Sequence, residues 1–520
     1  MTMIDHAALT TALDRLPARY PGPGGVAGVV HEGRVVAARA WGHADVETAL
    51  PMARTLRLPI CSISKQFTCA ALLASIGDPA RLNHRLRAFL PAFTGPLPTT
   101  RQLCDNRSGL RDYWALSILQ GAVAERRLAR ADALPLIAAM RTGHFAPGSA
   151  YSYCNANFRL LAEMIEAETG ETLEALCRRH VWGPARMATA VMASDTSERL
   201  DGVTGYEGTD VTGFLPAVNG AWWLGDAGIA ASLDDMLAYE AWIDATRDDP
   251  RGLYRQLSTQ AFHDDGTPAG YAMGLGFSTV AGLAATGHGG ALRGFRAQRL
   301  HIQDARLSAV VMFNHEASAH VAAADLLDAA LGHRAPPPAP VPDGWDGQWL
   351  CRETGLIARI DTGRTGACLR YAVGAEALQA DGEALAAPGI HVERVGDGLR
   401  MTRALDHEVL AFDPLPVVEV ADGSEIAGSF TCDDLGGATM QVEARDGGVH
   451  ARFTGVMGTG RFERLVPAGK DVWLLATRRS LDAPAPGDWT VIVRRDAAGD
   501  VTGLTVGCWL ARALDYRRAG

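Results

Sequence analysis

A chain of 520 residues that is 48% hydrophobic and 21% charged has the material for roughly two to four soluble domains with sizeable cores. A net charge of −10 and a pI near 5.8, with no basic run interleaved with aromatic residues, exclude nucleic acid and an anionic membrane surface as partners. The opening stretch "MTMIDHAALTTALDRLPARY" carries Asp5 and Asp14 and no continuous apolar core, so it does not read as a secretory signal. No later stretch has the length and apolarity of a membrane span. Nine cysteines, an odd number without a C-x-x-C pair, fit reduced thiols in a cytoplasmic protein, with Cys61 and Cys69 as packing residues.

In chain order, "GGVAGVVHEGRVVAARAWG" from Gly24 reads as two strands joined at "HEG" in a hairpin. Next comes "ICSISKQFTC", residues 60–69, which holds one of only two lysines, Lys65 and Lys470, among 49 basic residues. Arginine cannot give up its proton in a protein, whereas a desolvated lysine can act as a base. A helix beginning near Ser62 puts Ser62 and Lys65, three residues apart, on one face one turn apart, the arrangement of a Ser-Lys nucleophile. Ser64 points about 100° away around that helix. A serine at a helix N-terminus also gains backbone N–H groups for a developing oxyanion. Further on, "NFRLLAEMIEAETG" reads as a helix ending at Gly170.

The strongest boundary is "GHRAPPPAPVPDG", residues 332–344, whose prolines suit an interdomain linker. Residues 1–331 are α plus β. Beyond the linker, short Val, Ile, Leu and Thr segments between glycine and aspartate turns predict all-β structure. "GQWLCRETG" from Gly347 echoes "GSFTCDDLG" from Gly428, and a second proline-bearing joint spans 412–423. Two antiparallel β-barrels, 345–415 and 420–520, are the expectation. The near zinc motif "HEASAH" at 315–320 spaces its histidines one residue too far, about 140° apart on a helix, so no metal and no cofactor is expected. No G-x-S-x-G elbow occurs.

Three motifs in order, the S-x-x-K of Ser62 and Lys65, then Tyr153-Cys154-Asn155, then His288-Gly289-Gly290, resemble the serine β-lactamase and penicillin-binding D,D-peptidase superfamily over residues 20–331. "NRSGLRDYW" at 106–114 and "GDAGIAASLDDMLAYEAWI" at 225–243 resemble its class C branch. Most members carry lysine where this chain has His288, which weakens recognition of a substrate carboxylate. The resemblance implies a β-lactamase-like catalytic domain, an antiparallel sheet flanked by helices, in which Ser62 attacks an acyl carbon while Lys65 and Tyr153 share the proton transfers. It further implies that Asn155 holds the substrate carbonyl, that the N–H groups of Ser62 and Ala291 bind the oxyanion, and that His288 tunes Tyr153 and the leaving group.

With its proline linker and two β modules, the whole layout resembles the D-stereospecific aminopeptidases. The implied substrate is a short peptide, amide or ester with a free N-terminal D-residue or glycine, β-lactams are implied inhibitors, and a homodimer is implied. An α-ammonium calls for a carboxylate. The loop "LDAPAPGD", as the resemblance implies, reaches the cleft from the last domain and presents Asp482 to the amine. An esterase, a β-lactamase or a D,D-peptidase of the same fold, and a penicillin or peptidoglycan-fragment sensor that is acylated without turnover, remain alternatives.

Overall fold

The computed structural model describes the chain except residues 1–2, 335–338, 364–365, 418–422, 476, 478, 485–486 and 520. The "HEG" hairpin forms: Gly24–His31 pairs antiparallel with Arg34–Asp45 across Glu32 and Gly33, whose φ values of 50° and 72° suit a two-residue turn. This hairpin lies beside the strand Leu307–Phe313 of a later segment. The resulting eight-stranded sheet runs from Leu50–Pro51 at one edge, through the hairpin, to Phe295–Ile302, Leu283–Leu292, Leu275–Val280 and finally Tyr271–Ala272.

Alternate residues of the central strands serve two cores, as the two-residue repeat of a strand requires. Ala27, Val29, Ala309 and Val311 face the helices His6–Arg19 and Ala319–Ala330. Val26, Val310 and Met312 face the opposite layer, which includes Ser64–Ser75 and Leu233–Ala245. The helix Asn155–Thr169 ends at Gly170 in the left-handed conformation, φ 71°, with the Gly170 N–H on the Glu166 carbonyl.

Both β modules close into barrels. In the first, eight consecutive strands from Gly347–Cys351 to Glu408–Pro414 close when Trp349 and Leu350 pair with Pro414 and Asp413. In the second, eight strands from Gly428–Cys432 to Ala511–Arg518 close when Phe430 and Thr431 pair with Arg518 and Arg517. The two echoing segments are the opening strands of the two barrels, so the echo marks equivalent places in two rings of like topology. Among the described residues the nine cysteines are unpaired, Cys61 and Cys69 are buried, and no helix is long and apolar enough to cross a membrane.

Candidate active site

Ser62 stands in a single 3-10 turn, Cys61–Ile63, that runs into the helix Ser64–Ser75. The turn is tight against the sheet. A Cβ on Gly290 would lie 2.4 Å from the Ile60 carbonyl oxygen and 2.9 Å from the Cys61 Cβ, so only glycine lets the strand Leu283–Leu292 come this close to the nucleophile. Cys61 itself has φ 53°, a left-handed value that costs a non-glycine residue energy and sits one position before Ser62. Ser64 is turned elsewhere and accepts the Ile229 N–H at 3.2 Å.

Two donors converge on the Ser62 Oγ: Lys65 Nζ at 3.1 Å and the Tyr153 hydroxyl at 2.7 Å. Lys65 is wholly buried, and its other acceptors are the Asn155 Oδ1 at 2.7 Å and the Asp226 backbone carbonyl at 2.6 Å. All three acceptors are neutral. Burial therefore pulls the amine from 10.5 down to about 8, with the nearby Asp226 and Asp112 carboxylates pulling the other way. Burial drives the Tyr153 phenol the opposite way, well above its ordinary value. Lys65 is thus the group that can shed a proton near neutrality, while Tyr153 is held as a phenol.

Asp112 and Asp226 were not singled out by motif or spacing, although both lie inside the two stretches that carry the class C resemblance. Asp112 accepts both the backbone N–H of Asn155, at 2.6 Å, and its Nδ2, at 2.9 Å, which fixes the amide beside Lys65. Burial raises the Asp112 carboxyl to about 7. Asp226 accepts the Tyr113 hydroxyl at 2.7 Å and the N–H groups of Leu224 and Ala227, and burial raises it too. The segment around Asp112 is itself tied to the second barrel: the Asp112 N–H bonds to the Leu510 carbonyl at 3.1 Å, and Arg111 Nε to the Arg512 carbonyl at 3.0 Å.

Ser62, Tyr153, Asn155, His288 and Ala291 all line one cavity of about 740 Å³. Trp114, Trp223, Leu292 and Ala483 add apolar wall. His288 is half-buried and held as neutral imidazole: burial, then Lys65, brings it down to about 3. Its Nδ1 meets the Gly289 carbonyl and its Nε2 lies 3.0 Å from the Tyr271 hydroxyl. The Tyr153 and His288 ring centroids are 6.3 Å apart, so the expected tuning of Tyr153 by His288 has no direct bond behind it. The "HEASAH" histidines diverge: His315 stacks on Phe313 while His320 lies at the cavity rim.

The β-lactamase family model matches residues 9–333, and the model for domain B of D-aminopeptidase matches residues 339–517. A D-aminopeptidase of Cereibacter sphaeroides is 58% identical over 517 residues, 99% of each chain. One from Brucella anthropi is 45% identical over 522 residues, covering 100% of this chain and 99% of its own. The chain belongs to the D-aminopeptidase family. A crystal structure of D-amino acid amidase from Ochrobactrum anthropi SV3 with D-phenylalanine superposes with a TM-score of 0.52 at 17% identity, over 63% of this chain and 99% of that one, and bears out the β-lactamase-like fold.

One residue sits differently from its expectation in this D-aminopeptidase family member. The "LDAPAPGD" stretch reaches the cleft at Ala483, which stands in the cavity wall, but Asp482 beside it is not presented to the cavity; residues 485–486 of the loop lie outside the described residues. Asp482 is 3% exposed, burial raises its carboxyl, and the carboxylate oxygens accept from the Thr196 hydroxyl and from the N–H groups of Gly220, at 3.1 Å, and Ala221, at 2.9 Å. Hydrogen-bond demand explains the turn, since a buried carboxylate takes whatever donors the fold supplies. Among the described residues Asp482 makes no ion pair.

Proposed function

We propose that this protein removes an N-terminal D-residue, such as D-alanine, or glycine, from short peptides, amides and esters through an ester on Ser62. The observation that carries the reading is one oxygen, Ser62 Oγ, held between an amine brought down to about 8 and a phenol kept protonated, in a chain of the D-aminopeptidase family.

In this mechanism neutral Lys65 takes the Ser62 proton as Oγ attacks the acyl carbon. Tyr153, too weak an acid to rest as phenolate, gives its proton to the leaving nitrogen and recovers one from the Lys65 ammonium. The two transfers cancel and leave Lys65 neutral for the attack of water on the ester. Ser62 and Ala291, both on the cavity wall, supply the N–H groups for the oxyanion, and the Asn155 amide, half committed to Lys65 and Asp112, keeps one N–H for the substrate carbonyl. The neutral His288 offers no cation to a substrate carboxylate, and the guanidinium on the same cavity wall, Arg296, is paired with Glu316 at 3.3 Å, which favours an aminopeptidase over a D,D-carboxypeptidase.

The ammonium is read at the acyl end, behind Ala483, by the charge of Asp482. Burial raises the Asp482 carboxyl, while the Thr196, Ala221 and Gly220 donors and the Arg293 charge favour its ionised form, and in that form it acts on the amine through its field and without contact. The test is a panel of D- and L-alanine amides, free and N-acetylated. Turnover restricted to the free D-amine, with a transient acyl adduct on Ser62 seen by mass spectrometry, is the expected result; equal turnover of acetylated substrates sinks the aminopeptidase reading.

A further inference from the structure

The first barrel carries no chemistry in its sequence, yet it stands over the active site at two places. Val373–Ala375 lie over the Ser62 cavity. On the far side of Tyr153 and His288 a second cavity, of about 650 Å³, shares those two residues with the first and is walled by Tyr151, Tyr271 and the strand Leu275–Val280. Its roof is the barrel: Pro388, Gly389, Ala404 and Leu405.

That roof is fixed to the catalytic domain. The Tyr151 N–H, two residues before Tyr153, bonds to the Asp406 carbonyl at 3.1 Å. The Asp406 carboxylate is buried and accepts from Arg403 Nε at 2.6 Å and Trp509 Nε1 at 3.0 Å. His407 stacks on His263 with centroids 3.8 Å apart and lies 3.4 Å from Asp265. Between these anchors Leu405 seats against Gly270, where an added Cβ would come within 2.9 Å of Leu405 Cδ1, while 39% of Leu405 stays exposed. Among the described lining residues there is no lysine or arginine, and the acid present, Asp328, pairs with His333.

We propose that the Ala404–His407 turn of the first barrel builds the leaving-group subsite, with Leu405 as its specificity-determining contact, and that the site takes an uncharged, extended leaving group. The proposal rests on the acyl-transfer reading, because the departing amine is the part of the substrate that must lie on the Tyr153 side of Ser62. An amide nitrogen with a further residue or an aryl ring enters the second cavity and packs under Leu405. A bare ammonia leaving group does not reach it. A free carboxylate arriving there finds neutral His288 and no cation.

The experiment compares kcat/KM for D-alanine amide, D-Ala-Gly and D-Ala-Gly amide in the full chain. In the wild type D-Ala-Gly amide exceeds D-Ala-Gly. Leu405→Ala lowers the ratio of D-Ala-Gly amide to D-alanine amide by about tenfold, the scale of a lost apolar contact. Leu405→Arg supplies the missing cation and narrows or reverses the preference of amide over free acid. Equal proportional losses on all three substrates, or unchanged ratios in both variants, overturn the proposal. A wild type inactive on D-alanine amide would instead fault the aminopeptidase reading itself, so the two failures are distinguishable.

Discussion

Two wholly buried basic side chains, Lys65 and Arg299, are linked through a single residue, Gln66, and they are opposites. Arg299 spans Glu240 with a fork, Nε to Oε1 at 2.5 Å and Nη2 to Oε2 at 3.0 Å, and its Nη1 reaches Gln66 at 3.2 Å and Tyr254 at 2.9 Å. Lys65, next to Gln66, donates to a hydroxyl, an amide oxygen and a peptide carbonyl and lies over the Tyr153 and Phe158 rings, all of them neutral groups. Both pay the same burial. The carboxylate partner more than offsets it for Arg299, whose pKa is raised, whereas neutral partners leave Lys65 lowered to about 8. The contrast teaches that here burial alone does not decide whether a cation is structural or reactive; the charge of its first partner does.

The comparison breaks most sharply at Lys65→Arg, which installs a cation that cannot deprotonate. We expect kcat on D-alanine amide to fall by about 10⁴-fold, read by steady-state assay; retention of a tenth of the activity would dismiss Lys65 as the base. In the wild type the same group sets the pH profile. The amine acts when neutral, so kcat/KM rises tenfold per pH unit below about 8 and levels above it. The matching stability effect has the same sign: the unfolded amine holds its proton up to 10.5 and the folded one only to about 8, so stability rises with pH between those values and is lost on descending through them.

Next in size is Glu240→Ala, which strands the Arg299 guanidinium. A destabilisation of about 3–5 kcal/mol is expected from urea unfolding, and a change under 1 kcal/mol would remove the pair from the structural side of the contrast. The smallest effect is Asp482→Asn, which keeps the acceptor for Thr196 but loses the charge. KM for D-alanine amide should rise about tenfold, worth ~1.4 kcal/mol, with kcat moving less; an unchanged KM assigns Asp482 to loop anchoring alone.

Ser62 and Lys65 were legible because a helical repeat fixes which neighbours share a face, and the lysine stood out against an arginine background. The barrels were legible from turn residues and from the echo at Gly347 and Gly428. Asp112 and Asp226 were not, because their meaning lies in burial beneath Lys65, which no local spacing encodes. The Asp482 loop was legible as a projection from the last barrel. The direction of its carboxylate was not, since that depends on donors at Thr196, Gly220 and Ala221, more than 260 positions away. The partner of His288 was equally hidden, because Tyr271 sits at the sheet edge, two strands from His288.

The bond from the Asp112 N–H to the Leu510 carbonyl sets a clock on the molecule's birth. A chain emerging from the ribosome presents Ser62, Lys65, Tyr153 and His288 long before Leu510 exists. Until the second barrel closes, the segment that fixes Asn155 beside Lys65 lacks this one brace, so the frame of a site written early in the sequence is completed from its far end.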